Sequence, residues 1–157
     1  MIYIICGELN QGKTAKIKSI YEENMHGDGF VTEKIITDSI FCGYKVKRIT
    51  TGDSEILLLR TEFFPLDETP FFTKGSFSFY EKGFIFASSI IDDIIINDTG
   101  PVFIDEIGAI ELAGKGLHDS FRKILHTDKT IYITVRNCFV KDVISFFSLK
   151  KFTLIRI

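Results

Sequence analysis

The chain has 157 residues, 45% apolar and 25% charged, with a net charge of −2 and a pI near 5.9. That suffices for a single domain over residues 1–157 with its own core, and it gives no broad electrostatic footprint for nucleic acid. No membrane span is expected either, because the longest apolar candidate, Phe84 to Ile96, is broken by Ser88, Ser89, Asp92 and Asp93.

The first predicted element is a fully buried strand, Ile2 to Cys6, followed by the string Gly7-Glu-Leu-Asn-Gln-Gly-Lys-Thr14. Ile17, Ile20, Tyr21 and Met25 then recur at helical spacing as far as His26-Gly27. Short strands are predicted from Gly29, over Gly43–Val46 and over Ile56–Arg60, the alternation of Tyr44, Val46 and Arg48 suiting an antiparallel pair. Phe63 to Lys74, with Pro65 and Pro70, reads as a loop, and Gly75 to Tyr80 as one more strand. Ala87, Ile90, Ile91, Ile94 and Ile95 form a helix stripe that Asn97 to Gly100 ends. A second apolar strand, Val102 to Asp105, precedes a helix marked by Leu117, Phe121, Ile124 and Leu125. A third apolar strand, Ile131 to Val135, a helix from Phe139 to Phe147 and a last strand, Phe152 to Ile155, complete the chain.

Apolar strands alternating with amphipathic helices give an α/β fold, mostly a parallel sheet with helices on both faces. The segment from Phe30 to Glu62 is expected beside it as a short antiparallel insertion. The cysteines, Cys6, Cys42 and Cys138, are odd in number and far apart, which suits neither a disulfide framework nor a zinc site. They are expected as buried thiols in the cytoplasm.

A phosphate-binding loop turns backbone N–H groups inward, which favours glycine at strained positions. Gly7 and Gly12 supply that freedom, and Asn10 tolerates left-handed geometry. Glu8, Leu9, Gln11 and Ala15 complete the cradle around the phosphates. Lys13 is placed to reach the β- and γ-phosphates and Thr14 to offer its hydroxyl to Mg²⁺. The following helix aims its N-terminal N–H groups at the same anion. The strand ending in Asp105-Glu106 puts two acids at the carboxyl edge of the sheet, where ligands of open α/β sheets bind. Asp105 is the expected partner of the Mg²⁺ held by Thr14, and Glu106 the acid that orients a water or takes its proton. Glu111 reads equally as a second acid of the site or as a surface carboxylate.

On Gly7–Thr14, Gly29-Phe-Val-Thr-Glu33, Gly43-Tyr-Lys45 and Ile104-Asp-Glu-Ile-Gly-Ala-Ile-Glu-Leu112, the chain resembles a known family. This is the family of small P-loop nucleoside-triphosphatases first described from thermophiles, which includes a human cancer-related nucleoside-triphosphatase. The resemblance implies a RecA-like P-loop fold and Mg²⁺-dependent hydrolysis of nucleoside triphosphates with loose base preference. It carries Lys13, Thr14, Asp105 and Glu106 into the roles above and matches Glu111 to a further acid. Two departures stand out. Ala15 replaces a small polar residue, and Ile36, Ile40 and Phe41 occupy a region where relatives carry arginines. Arg136, ending the third apolar strand, is the candidate substitute cation, its alternative being an ordinary surface arginine.

Two other functions compete with hydrolysis of nucleoside triphosphates. A nucleotide or nucleoside kinase needs an acceptor site and an arginine-rich lid, whereas the five arginines here are scattered. A nucleotide-dependent switch with negligible turnover would receive its missing charge from a protein partner. Phe63 to Lys74 reads as a lid or partner contact, its alternative being a plain connection over the sheet edge.

Overall fold

The computed structural model describes residues 1–157. Nine strands form one sheet in the order β5-β6-β4-β3-β2-β7-β8-β1-β9. They are β1 (Ile2–Gly7), β2 (Asp28–Thr37), β3 (Ile40–Arg48), β4 (Ser54–Arg60), β5 (Phe72–Lys74), β6 (Phe77–Phe79), β7 (Val102–Ile104), β8 (Ile131–Arg136) and β9 (Phe152–Arg156). The helices are α1 (Lys13–Asn24), α2 (Glu81–Ile96), α3 (Ala109–Leu112), α4 (His118–Leu125) and α5 (Val140–Phe146).

Successive residues of a strand face opposite sides of the sheet, and the apolar runs use both. Ile4, Phe30 and Ile104 join the larger core, which packs against α2, α4 and α5. Their chain neighbours Ile5, Val31 and Phe103 join a smaller cluster with Ile17 and Ile20 of α1. The strands are therefore covered by helices on both faces, as the near-continuous apolar runs imply. On α2 the buried set Phe84, Ala87, Ile90, Ile91 and Ile94 follows the predicted stripe, with Ile95 half-buried at its edge.

The antiparallel part is larger than expected and is no separate insertion. β2 pairs in parallel with β7 on one side and antiparallel with β3 on the other. The antiparallel run continues through β4 and β6 to β5, ending well past Glu62. The segment Phe63 to Lys74 is mainly loop but ends in β5, a strand too short to show a period. The β2–β3 turn places Asp38 and Ser39 at φ 50° and 64°, the pair of left-handed angles that matches strand twist. Arg48 fastens the other end of this hairpin. Its guanidinium donates to Asp28 at 2.6 Å and 2.9 Å and to Asp93 of α2 at 2.8 Å. Of the thiols, Cys6 is buried, Cys42 half-buried and Cys138 exposed, so only the first matches its expectation. No helix is long and apolar enough to cross a membrane.

Candidate functional site

The glycine loop joins the end of β1 to the start of α1. Gly12 has φ 92° and nothing within 4 Å of an added Cβ, so the backbone angle, not space, selects glycine there. Asn10 sits at φ 61°, in the left-handed region that its short polar side chain tolerates. Gly7 is selected for another reason than the one expected. Its φ is not left-handed, and an added Cβ would stand 2.7 Å from Cγ1 of Ile157. Lys13 is nearly buried, and its ammonium donates to the carbonyl oxygens of Glu8 at 2.6 Å and Gly7 at 3.2 Å. Inside the loop the Gln11 amide oxygen accepts from the Glu8 N–H, and the Asn137 amide donates to the Glu8 carboxylate at 2.8 Å. Leu9 and Ala15 are exposed.

Asp105 follows β7 and is 3% exposed. Its Oδ2 accepts from the Thr14 hydroxyl at 2.8 Å and from both the Thr32 N–H and hydroxyl at 3.0 Å. Its Oδ1 accepts from the Thr134 hydroxyl at 2.6 Å. This carboxylate thus ties the first turn of α1 to β2 and β8. The next residue, Glu106, has φ 72°, a left-handed angle that costs a non-glycine residue about 1 to 3 kcal/mol. Its N–H donates to the Thr134 hydroxyl at 3.0 Å, and Arg136 Nε donates to its Oε1 at 2.7 Å. The surroundings hold the strained acid in place.

A polar chamber of about 440 Å³ opens between the loop and these acids. Leu9, Asn10, Gly12, Lys13, Thr14, Asp105 and Glu106 line it, joined by Lys18, Thr32, Lys34 and Tyr44. Its cations are all lysines. Lys18 donates to Glu33 at 2.8 Å, a hydrogen bond that holds the Glu33 carboxyl below its usual range. The Lys34 ammonium lies 5.9 Å from the Phe41 ring centroid. Arg136 borders a neighbouring cavity rather than this chamber and is paired with Glu106. Tyr44 lines both spaces, and burial, followed by the nearby Glu106 charge, pushes its phenol pKa up.

Glu111 is not on the surface. It is 4% exposed on the short α3, accepting from the N–H of Gly108 at 3.0 Å and of Leu117 at 3.2 Å. It borders the neighbouring cavity, not the polar chamber.

The NTPase family model matches residues 2–156. The chain belongs to this NTPase family. THEP1 from the hyperthermophile Aquifex aeolicus superposes with a TM-score of 0.76 at 25% identity, over 99% of this chain and 89% of that one. A human cancer-related nucleoside triphosphatase superposes with a TM-score of 0.70 at 21% identity, over 99% of this chain and 87% of that one. Among proteins of curated function, none matches the chain. The family's RecA-like P-loop fold is the one described above, a mixed sheet whose parallel half carries the loop and the acids.

In this NTPase, burial raises the Glu111 carboxyl from 4.5 to about 7, against the opposing pull of the backbone N–H donors. A folded-state pKa above the unfolded one means that the native protein holds the extra proton between the two values. The associated stability is full below pH 4.5 and is lost as the pH rises through 7. The loss amounts to about 3 kcal/mol across that window. Urea midpoints of the wild type are therefore expected to fall between pH 5 and pH 8, with Glu111→Gln removing most of the slope. An equal slope in the two proteins would contradict the assignment.

Thr32, Thr134, Tyr44, Lys18 and Lys34 stand at the site without having been singled out from the sequence. A signal existed for Thr134, the one aliphatic hydroxyl in the apolar run Ile131 to Val135. Thr32 and Tyr44 lay inside motifs that carried the resemblance but had no stated chemistry. The two lysines gave none, since exposed lysines are common.

Proposed function

We propose that the protein hydrolyses nucleoside 5′-triphosphates, ATP and GTP among them, to the diphosphate and phosphate in a Mg²⁺-dependent reaction. The observation that carries this reading is the 2.8 Å hydrogen bond from the Thr14 hydroxyl to Asp105, which joins the phosphate loop to the acid-bearing strand end. Mg²⁺ takes hard oxygen ligands and keeps several waters and phosphate oxygens. The Thr14 hydroxyl and the Asp105 carboxylate fit that preference and are the residues that would hold it. When bound, it neutralises charge on the β- and γ-phosphates.

The chain's own groups do the rest. Lys13 lies across the loop with its ammonium where the β- and γ-phosphates would exchange for the Gly7 and Glu8 carbonyls. Glu106 engages Arg136 through Oε1, leaving Oε2 to hold a water and take its proton. Arg136 then acts by orienting the acid rather than by touching phosphate. Lys34 supplies positive charge along the chamber wall, where charge developing in transfer is stabilised, while Lys18 is already paired with Glu33. The three free thiols support a reducing, cytoplasmic setting.

The test is Mg²⁺-dependent phosphate release from ATP, GTP, CTP and UTP, with binding measured on the same samples. Wild type is expected to turn over several of them. Lys13→Ala is expected to bind about 10- to 100-fold more weakly, the effect of losing a charge-assisted hydrogen bond. Tight binding by the wild type with no turnover would defeat the hydrolase reading and favour a switch.

A further inference from the structure

Beside the polar chamber lies a cavity of about 330 Å³, and 13 of its 20 lining residues are hydrophobic. Hydrolysis needs no such space beside Glu106, where only the γ-phosphate and a water, both polar, would stand. The cavity sits between the antiparallel strands and α2, walled by Leu57, Leu58, Phe77, Phe79 and Phe84. Phe79 and Phe84 lie parallel, their ring centroids 5.9 Å apart. Thr32, Tyr44, Asp105 and Glu106 line both spaces. The apolar cavity therefore meets the polar chamber at the acid assigned to the attacking water.

Interiors keep few voids larger than a water molecule, and cavities of this size with a few convergent polar groups are the usual form of small-molecule sites. The wall selects the occupant's chemistry. Aromatic faces suit a ring in offset or edge contact. Carboxylates at Asp105 and Glu106 oppose an anionic group, while Lys74 and Arg136 oppose a cationic one. A nucleoside or sugar would leave many of its polar groups without partners against that wall. What remains is a neutral aromatic body bearing a hydroxyl, which the free oxygen of Glu106 can accept.

We propose that this cavity is a phosphoryl-acceptor site for small aromatic alcohols of the phenylalkanol class, the ring among Phe77, Phe79 and Phe84 and the hydroxyl at Glu106. The inference rests on the reading of the polar chamber as a nucleoside-triphosphate site. The alcohol oxygen takes the place of the attacking water. A bond forms between that oxygen and the γ-phosphorus, and the bond from the γ-phosphorus to the β–γ bridging oxygen breaks. The hydroxyl proton passes to Glu106, and the nucleoside diphosphate leaves with the electron pair. The products are an arylalkyl phosphate and the diphosphate, with no change of oxidation state.

Phosphorus-31 NMR of the full chain with MgATP and benzyl alcohol, 2-phenylethanol or 3-phenylpropan-1-ol separates monoester from inorganic phosphate. The monoester is expected to rise and saturate with alcohol, roughly tenfold or more above the yield with ethanol at equal concentration. Ala87→Leu, which narrows the cavity, is expected to lower the ratio of monoester to phosphate. Leu57→Ala, which widens it, should shift that ratio toward 3-phenylpropan-1-ol. Phosphate release without monoester from any of the three alcohols overturns the acceptor site and leaves the hydrolase reading standing. No ATP turnover under any condition overturns the hydrolase reading instead. In that case saturation-transfer NMR with 2-phenylethanol decides the cavity. Contact that weakens in Ala87→Leu upholds the binding site, and absence of contact with the wild type removes it.

Discussion

Glu106→Gln is expected to bind nucleoside triphosphate like the wild type while its kcat falls about 100- to 10,000-fold, the range for loss of a general base. The amide keeps the oxygen that accepts from Arg136 Nε at 2.7 Å, so the side chain stays in place and only its basicity is lost. The left-handed angle at residue 106 is as open to glutamine as to glutamate, so the melting temperature should barely move. Single-turnover phosphate release together with equilibrium binding separates the two effects. If the variant retains more than about a tenth of wild-type turnover, Glu106 is not the base.

Asp105→Ala should damage both activity and stability. Four hydrogen bonds, from Thr14, Thr134 and twice from Thr32, end on this one buried carboxylate. Alanine would remove their acceptor and leave the Thr134 hydroxyl, in a fully buried residue, with one bond fewer. Orphaned buried groups cost about 1 to 3 kcal/mol each, so a loss of about 3 to 5 kcal/mol is expected. At this chain length that corresponds to a Tm lower by roughly 10 °C. Mg²⁺-dependent turnover should vanish as well. A variant that melts within a few degrees of wild type would show that the hydrogen bonds around Asp105 contribute little to the fold. Retained Mg²⁺-dependent turnover would remove Asp105 from the metal's ligands.

Local constraints explain what could be read before the fold was known. The angles at Asn10 and Gly12 belong to single residues, so the string itself carries them. The apolar strands and the stripe of α2 are likewise periodic over enough residues to declare themselves. Partnerships across the chain were hidden. Arg136 and Glu106 are thirty positions apart, and nothing in either neighbourhood announces that the arginine pairs with the acid. Glu111 looked equally fit for water or core, because its burial depends on the N–H groups of Gly108 and Leu117 folding around it. Gly7 was assigned to glycine's flexibility, while its neighbour Ile157 comes from the opposite end of the chain. The four-residue α3 and the three-residue β5 are too short for any periodicity to register.

β2 is hydrogen-bonded to the parallel half through β7 and to the antiparallel half through β3. With one strand common to both, the walls of the chamber share a continuous backbone ladder and have no hinge between them. Admission and release of a ligand thus fall to side chains and short connections, such as the loop before α1, and not to rigid bodies swinging apart. The kinetic signature is a gate that works on the fast timescale of loops and rotamers.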